Sequence, residues 1–276
     1  MAFGKVHIIA VLVKKELKLV FFDWIFYLTI CAVFLISSFI LENIIGSIQG
    51  RGIRAGSDPL IFPYLVAMSL SMVYISLSSV VSIVKEKNEG TLLVLFYGPI
   101  RLISYILSKY FKELIAYGVV VIFIVIYFLF ISFLTNLNLS IEFVQIIISS
   151  FFLASCLIGL GLFISTLTTG ITKAIILFIL IVLGFSGIEI LHRLLLNLSL
   201  VTGSTTLGYF RESAGIISKI MVVISPLSYF LRSYDAVYSK APGAYSVYLC
   251  FSIIYTLFFL LCSRFMLKYK GIIPKG

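Results

Sequence analysis

The chain has 276 residues, of which 61% are hydrophobic and 12% are charged, and its formal net charge is +10. Because an ordinary soluble domain carries about 25% charged residues, this composition excludes such a domain and indicates an all-α integral membrane protein. The positive charge is explained by cytoplasmic loops that face anionic lipid head groups, and no motif typical of nucleic-acid binding accompanies it.

The first predicted element is an amphipathic helix over residues 1–23. On a helical wheel, His7, Lys14 and Lys18 share one arc, and apolar residues share another. Such a helix can lie in the head-group boundary with its lysines toward the cytoplasm. A simple positive-inside anchor explains the lysines equally well, so both interpretations stay open. No cleaved signal peptide is expected, because the start lacks an uninterrupted apolar region.

Six segments supply the roughly 20 apolar residues that a helix needs to cross the hydrocarbon core. These predicted spans cover residues 24–45, 59–84, 114–134, 143–167, 173–191 and 244–266. With the N-terminus in the cytoplasm, most lysines and arginines fall in the inside segments, so both termini are predicted to be cytoplasmic. The whole chain, residues 1–276, is then one transmembrane domain.

The cytoplasmic loop at residues 84–101, between the second and third spans, is the most distinctive segment. Glu86 and Glu89 are expected to prolong the second span as an exposed charged stalk. Gly90 permits a turn, and Thr91 is expected to cap a short helix.

Four apolar residues of that short helix follow directly, namely Leu92, Leu93, Leu95 and Phe96. They give the helix an apolar face suited to a partner's groove, and Gly98 and Pro99 end it. An ordinary solvated loop with a buried apolar side is the alternative. It explains the charges but not a helix set between two helix breakers, so we favour docking.

Serines recur in the predicted spans, where polar groups are costly and often functional. In the second span, Ser69, Ser76 and Ser78 are candidates for lining a transport path. Serines bonded to backbone carbonyls at close helix contacts are the alternative, and the more common one. In the fourth span, the pairs Ser155/Gly159 and Gly161/Ser165 are small residues four positions apart, which we interpret as helix packing.

Between the last two spans, residues 193–243 form an external segment that is too long for a plain connector. Two charge-free stretches within it, residues 194–210 and 220–231, are predicted to be short re-entrant helices. Pro226 is expected to break a helix at the residue before it.

Glu189, His192 and Arg193 lie within about one turn at the outer end of the fifth span. A proton relay is one interpretation of this trio. The other is a self-neutralising cap near the head groups, which we favour because the spans contain no second predicted buried carboxylate.

No residue pattern indicates catalysis within the chain. A phosphate loop of the form G-x-x-x-x-G-K-[ST] does not occur, and neither does H-E-x-x-H. The two histidines, His7 and His192, are predicted on opposite sides of the membrane. All four cysteines lie inside apolar runs and not at metal-site or disulfide spacings. We therefore expect no catalytic residue, no metal site and no bound cofactor.

The run EKNEGTLLVLFYGPIRLISYILSKY, residues 86–110, resembles the cytoplasmic loop of type-2 exporter permeases of the ATP-binding-cassette (ABC) transporters. The positions that match are Glu86, Glu89, Gly90, Thr91, Leu92, Pro99, Arg101 and Lys109. The family is also similar in its amphipathic N-terminal helix, six spans and a SPLSYF-like segment at residues 225–230. In size and layout the chain is similar to the permease that serves nitrous-oxide-reductase maturation. One departure is Ser108, where the family often has glycine.

This resemblance implies a non-catalytic permease that works as a homodimer or paired permease with two separate nucleotide-binding subunits, which hold ATP and Mg²⁺. Its loop residues, from Glu86 to Arg101, would couple ATP hydrolysis to export from the cell membrane or to force on an external partner. A secondary ion-coupled transporter is the alternative, and it would show inverted repeats, broken helices or several intramembrane carboxylates. An intramembrane enzyme would need convergent polar groups at depth, and only the trio around Glu189 is available.

Overall fold

A computed structural model describes residues 2–51, 59–97, 101–135, 137, 139–199 and 224–269. This part of the chain is helical throughout and contains no strand. In chain order its helices are α1 (Ala2–Phe22), α2 (Trp24–Arg51), α3 (Ile61–Asn88), α4 (Thr91–Tyr97), α5 (Leu102–Thr135), α6 (Ile141–Leu167), α7 (Ile171–Ser199), α8 (Pro226–Tyr238) and α9 (Pro242–Tyr269).

Six of these helices are long and apolar enough to cross a membrane, namely α2, α3, α5, α6, α7 and α9. The predicted all-α architecture with six spans is confirmed. The largest difference in a boundary is at the third span, which the sequence predicts to start at residue 114 but which begins at Leu102. Helices α2 and α7 also continue past the predicted ends of their spans, to Arg51 and Ser199. The charged residues in the first part of α5 are paired, Lys109 with carboxylates of α1 and α3 and Lys112 with the adjacent Glu113, so they do not end the helix.

Helices α3 and α6 are in close contact at the centre of the molecule. A Cβ atom at Gly161 of α6 would lie 2.1 Å from the hydroxyl oxygen of Ser79 and 3.1 Å from the carbonyl oxygen of Ser76. On the opposite side of α6, Gly159 faces Thr256 of α9, whose hydroxyl is 3.1 Å from that of Ser155. The small residues of the fourth span therefore serve helix packing, as the sequence predicts.

The ends of α3 and α6 are also joined by polar contacts. The hydroxyl oxygen of Ser165 accepts hydrogen bonds from the backbone N–H groups of Ile83 and Val84, at 3.1 and 3.0 Å. The ammonium group of Lys87 donates to the carbonyl oxygens of Ser165, Thr166 and Thr168, at 3.1, 2.7 and 3.3 Å. A cation is favourable at a helix C-terminus, where carbonyl groups have no partner within the helix.

The N-terminal helix α1 covers Ala2–Phe22, and its amphipathic character stays a prediction. Val13 is buried, whereas Lys14 and Lys18 are exposed. Asp23 separates α1 from α2, and its side chain accepts a hydrogen bond from the backbone N–H of Ile25 at 3.1 Å, which caps α2. The position of α1 at the membrane surface stays a prediction, and the side chain of His7 lies outside the described residues.

The segment before the last span differs from its prediction. Ser225 is extended, which confirms the break before Pro226, and a helix starts at this proline and runs to Tyr238, beyond the predicted end at residue 231. Residues 220–223 of the predicted helix lie outside the described residues. Proline is favourable in the first turn of a helix because it has no N–H to leave unpaired. Of the other predicted short helix, residues 194–199 belong to α7, and 200–210 lie outside the described residues. Re-entry into the membrane stays a prediction for this segment.

The contact between α3 and α6 gives a first testable prediction. Gly161→Ala should lower the free energy of unfolding by about 1 to 3 kcal/mol, because the new methyl group overlaps Ser79. Combining it with Ser79→Ala should restore part of that loss. Gly184→Ala is the control, because no atom lies within 4 Å of that position and alanine favours the helix by up to about 1 kcal/mol. Thermal unfolding in detergent measures all three, and equal effects at positions 161 and 184 would contradict the packing.

Candidate coupling site

A tight turn connects α3 to α4. The backbone N–H of Glu89 donates to the carbonyl oxygen of Lys85 at 3.0 Å, and that of Gly90 donates to the carbonyl oxygen of Lys87 at 3.2 Å. Gly90 has a φ of +70°, which glycine adopts without strain. The sequence predicts Thr91 as the cap of the short helix, and this is wrong. Thr91 is the first residue of α4, and its hydroxyl donates to the carbonyl oxygen of Glu86 at 3.2 Å, so it helps to close the end of α3.

The apolar face of α4 packs against the protein itself. Leu92 is only 1% exposed and lies in the main hydrophobic core, and Leu95 and Phe96 are partly buried against it. The ring of Phe96 meets that of Tyr105 of α5 edge to face, with centroids 5.5 Å apart. Leu92 is therefore not available to a partner, whereas contact of a partner with the partly accessible Leu95 and Phe96 stays a prediction. A short helix between two spans that fold back must bury its apolar face on those spans.

The exposed side of α4 consists of other residues. Val94 is 73% exposed and Tyr97 is 80% exposed. They lie three positions apart and so share the outward face of the helix. Sequence reasoning missed both, although this spacing was visible beside the inward positions. Glu89 and Arg101 are also exposed, and they flank α4 in the chain. Gly98, Pro99 and the side chain of Leu93 lie outside the described residues.

A buried cluster of charged side chains lies beneath α4. Lys109 of α5 pairs with Glu86 of α3 and, at 2.8 Å, with Glu16 of α1. Tyr105 donates a hydrogen bond to Glu86. The expected exposed pair of carboxylates is therefore divided, because Glu86 turns inward and Glu89 alone is exposed. The inward turn is favourable because α5 begins early enough to place a lysine and a tyrosine beside Glu86.

A second ion pair extends this cluster into the membrane-spanning part of α5. Lys112 and Glu113 are 2.7 Å apart, both are buried, and the hydroxyl of Ser78 donates to Glu113 at 2.9 Å. The sequence predicts no buried carboxylate in the spans besides Glu189, so Glu113 corrects that prediction. It falls in the predicted loop because the predicted span starts at residue 114, whereas α5 already begins at Leu102.

The three candidate path serines are not brought together. Ser69 is exposed, and its hydroxyl donates to the carbonyl oxygen of Val66 at 2.9 Å. Ser76 is buried and donates to the carbonyl oxygen of Met72 at 2.7 Å. Ser78 belongs to the charged cluster. Two of the three thus bond to backbone carbonyls, as the packing interpretation expects.

At the far end of α7, Glu189 is buried and accepts a hydrogen bond from Ser228 of α8 at 3.3 Å. The side chains of His192 and Arg193 lie outside the described residues, so the predicted trio stays a prediction. In the part of the chain that the structure describes, no three His, Cys, Asp or Glu side chains are placed to hold a metal ion.

The six spans and the short helix between the second and third define a multi-pass membrane protein. The family model described as ABC-2 type transporter matches residues 8–191, which include α4 and the whole charged cluster. The chain therefore belongs to the ABC-2 type transporter family, as a permease component. Membership implies pairing with an ABC ATPase subunit. A comparison with curated proteins gave no match.

The two sides of α4 give a second prediction. Leu92→Asp should lower the stability of the isolated permease by several kcal/mol, because it places an unpaired charge in the core. Val94→Asp should change stability by no more than about 0.5 kcal/mol, since this side chain is exposed. Thermal unfolding of the purified chain without any partner separates the two variants. Equal losses would mean that α4 is oriented differently.

Proposed function

We propose that the chain is the permease subunit of an ATP-driven exporter and that nucleotide-binding subunits dock on the exposed face of α4. The observation that carries this proposal is the division of α4 into a buried face, led by Leu92, and an exposed face of Val94 and Tyr97. A seven-residue helix with one face buried against the spans and the other face exposed is a suitable contact for a second protein.

Docking would combine apolar contact with charge at the rim. Exposed aromatic residues are frequent centres of protein interfaces, so Tyr97 is the expected anchor and Val94 its neighbour. Glu89 and Arg101 would fix orientation at the edge of the contact, where charges favour correct encounter more than affinity. ATP and Mg²⁺ would bind on two copies of the partner, and this chain would bind no cofactor of its own.

Force applied to α4 would pass into two spans at once. Leu92 and Phe96 connect the helix to the core and to Tyr105, so an inward push displaces the adjoining ends of α3 and α5. Packed helices move as units with small shifts, and such shifts can change access to a path. We place that path between two copies of the permease, where Ser69, exposed on α3, is available to line it.

Orientation follows from the positive-inside rule. We propose that α4 and both termini face the cytoplasm and that the protein resides in the cell membrane, since the basic residues concentrate in those segments. Export, or force transmitted to an external partner, is the consequence of placing the ATPase contact inside.

The docking proposal gives a third prediction. The double variant Val94→Asp with Tyr97→Asp should weaken association with the nucleotide-binding subunit about tenfold to a hundredfold, which corresponds to roughly 1.4 to 2.8 kcal/mol. Co-purification from native membranes, followed by titration of the purified subunits, measures the change. Ile141→Asp is the control. This residue is 80% exposed and lies at the start of α6, whereas the end of α6 is the part that contacts Lys87 near α4, so association should be unchanged.

An ion-coupled carrier is the second candidate function, because Glu113 is a buried carboxylate in a span. It would transport without any nucleotide-binding subunit. A Val94 and Tyr97 double variant that loses the subunit but keeps the activity of the parent would therefore favour the carrier. Loss of both supports the ATP-driven exporter.

Orientation gives a fourth prediction. In a cysteine-free background, Lys240→Cys should react with a membrane-impermeant reagent in intact cells. Glu89→Cys should react only after permeabilisation. Both positions are exposed, so reactivity depends on the side of the membrane and not on burial. The reverse pattern would place α4 outside the cell and remove the proposed contact with an ATPase.

A further inference from the structure

The N-terminal helix α1 contains a single acidic residue, Glu16, among its lysines. Lys14, Lys15 and Lys18 are exposed, but Glu16 is partly buried and contacts Lys109 of α5 at 2.8 Å. An anchor at the lipid surface needs only the lysines and apolar residues. It leaves the inward position of a carboxylate unexplained.

Lys109 is the residue that joins α1 to the base of the coupling site. Its side chain is 4% exposed, and it pairs with Glu86 of α3 as well as with Glu16. Its ammonium group also lies 5.7 Å from the centroid of the Tyr105 ring. One lysine therefore holds α1 and α3 at a fixed distance from α5, directly beneath α4.

We propose that the ion pair between Glu16 and Lys109 makes α1 a moving part of the coupling apparatus, so that α1 travels with α3, α4 and α5 when the ATPase subunits close. Glu16 and Lys109 are positioning residues in this mechanism. The inference rests on the proposed function, because α4 must receive the force. A passive anchor would instead stay with the lipid while α3 and α5 move.

The burial of Lys109 makes this ion pair resistant to separation. A charge withdrawn from water is stable only beside its partner, so the two side chains resist separation more strongly than they would at the surface. Glu16 can be neutralised without leaving Lys109 alone, because Glu86 still pairs with it. Glu16→Gln therefore loosens α1 from α5 and leaves the remaining cluster in place.

The labelling rate of a cysteine on the inner side of α1 tests the ion pair. Val13 is buried one turn before Glu16, so Val13→Cys in a cysteine-free background should react slowly with a maleimide. The assembled complex is studied in nanodiscs, without nucleotide and after trapping with ATP and vanadate. In the parent the two rates should be equal, because α1 follows the other helices.

Glu16→Gln should make labelling at Val13→Cys severalfold faster in the trapped state than in the nucleotide-free state, since α5 then moves and α1 stays behind. A purely structural role would raise both rates equally. Glu42→Gln, which neutralises an exposed carboxylate on α2, is the matched control and should change neither rate. Val11→Cys, on the exposed side of α1, should react equally fast throughout.

Equal rates in the two states of Glu16→Gln would overturn the inference, and so would a parent in which trapping itself exposes position 13. Failure of the proposed function has a different signature, because then no ATPase subunit associates with the parent complex. In that case the coupled movement fails with it. The nucleotide-free rates still decide whether Glu16 holds α1 to α5.

Discussion

The burial of charged side chains at the junction of α1, α3 and α5 constrains the rest of the structure. Three carboxylates and two lysines lie together in this cluster, and the most enclosed of them, Glu113, is only 1% exposed. Because an unpartnered charge is costly in such a place, each helix must keep its register and rotation relative to the other two. The base beneath α4 is therefore fixed by electrostatics as much as by apolar packing.

The remaining spans are arranged around this base by close contacts of small residues. Gly161 lets α6 approach α3, and Gly159 lets it approach α9, so α6 is the most buried span. In lipid there is no hydrophobic force between helices, and packing of small residues with hydrogen bonds replaces it. Lys87 closes the arrangement by joining the end of α3 to the end of α6. A displacement of α3 is consequently shared by the centre of the bundle.

The six spans and the short helix were predictable because their signals are local. The spans are long apolar runs, and the short helix is an apolar segment of seven residues that follows a glycine turn. The start of α5 was not, because the partners of its charges are distant in the chain. Glu16 is 93 residues from Lys109, and Glu86 is 23 residues away. The orientation of α4 was missed for a related reason. Both of its sides carry apolar residues, Leu92 on the buried side and Val94 and Tyr97 on the exposed side. Only packing against the neighbouring helices determines which side is buried.

Helix α4 has seven residues, whereas an isolated helix needs about 12 to 15 to be stable in water. Its helical conformation therefore depends on the packing of Leu92 and Phe96 against spans that have already folded. Before α3 and α5 have packed, Val94 and Tyr97 have no fixed spacing and form no recognisable surface. A partner that binds this surface would thus distinguish mature permeases from newly inserted ones, and assembly would then follow folding of the spans.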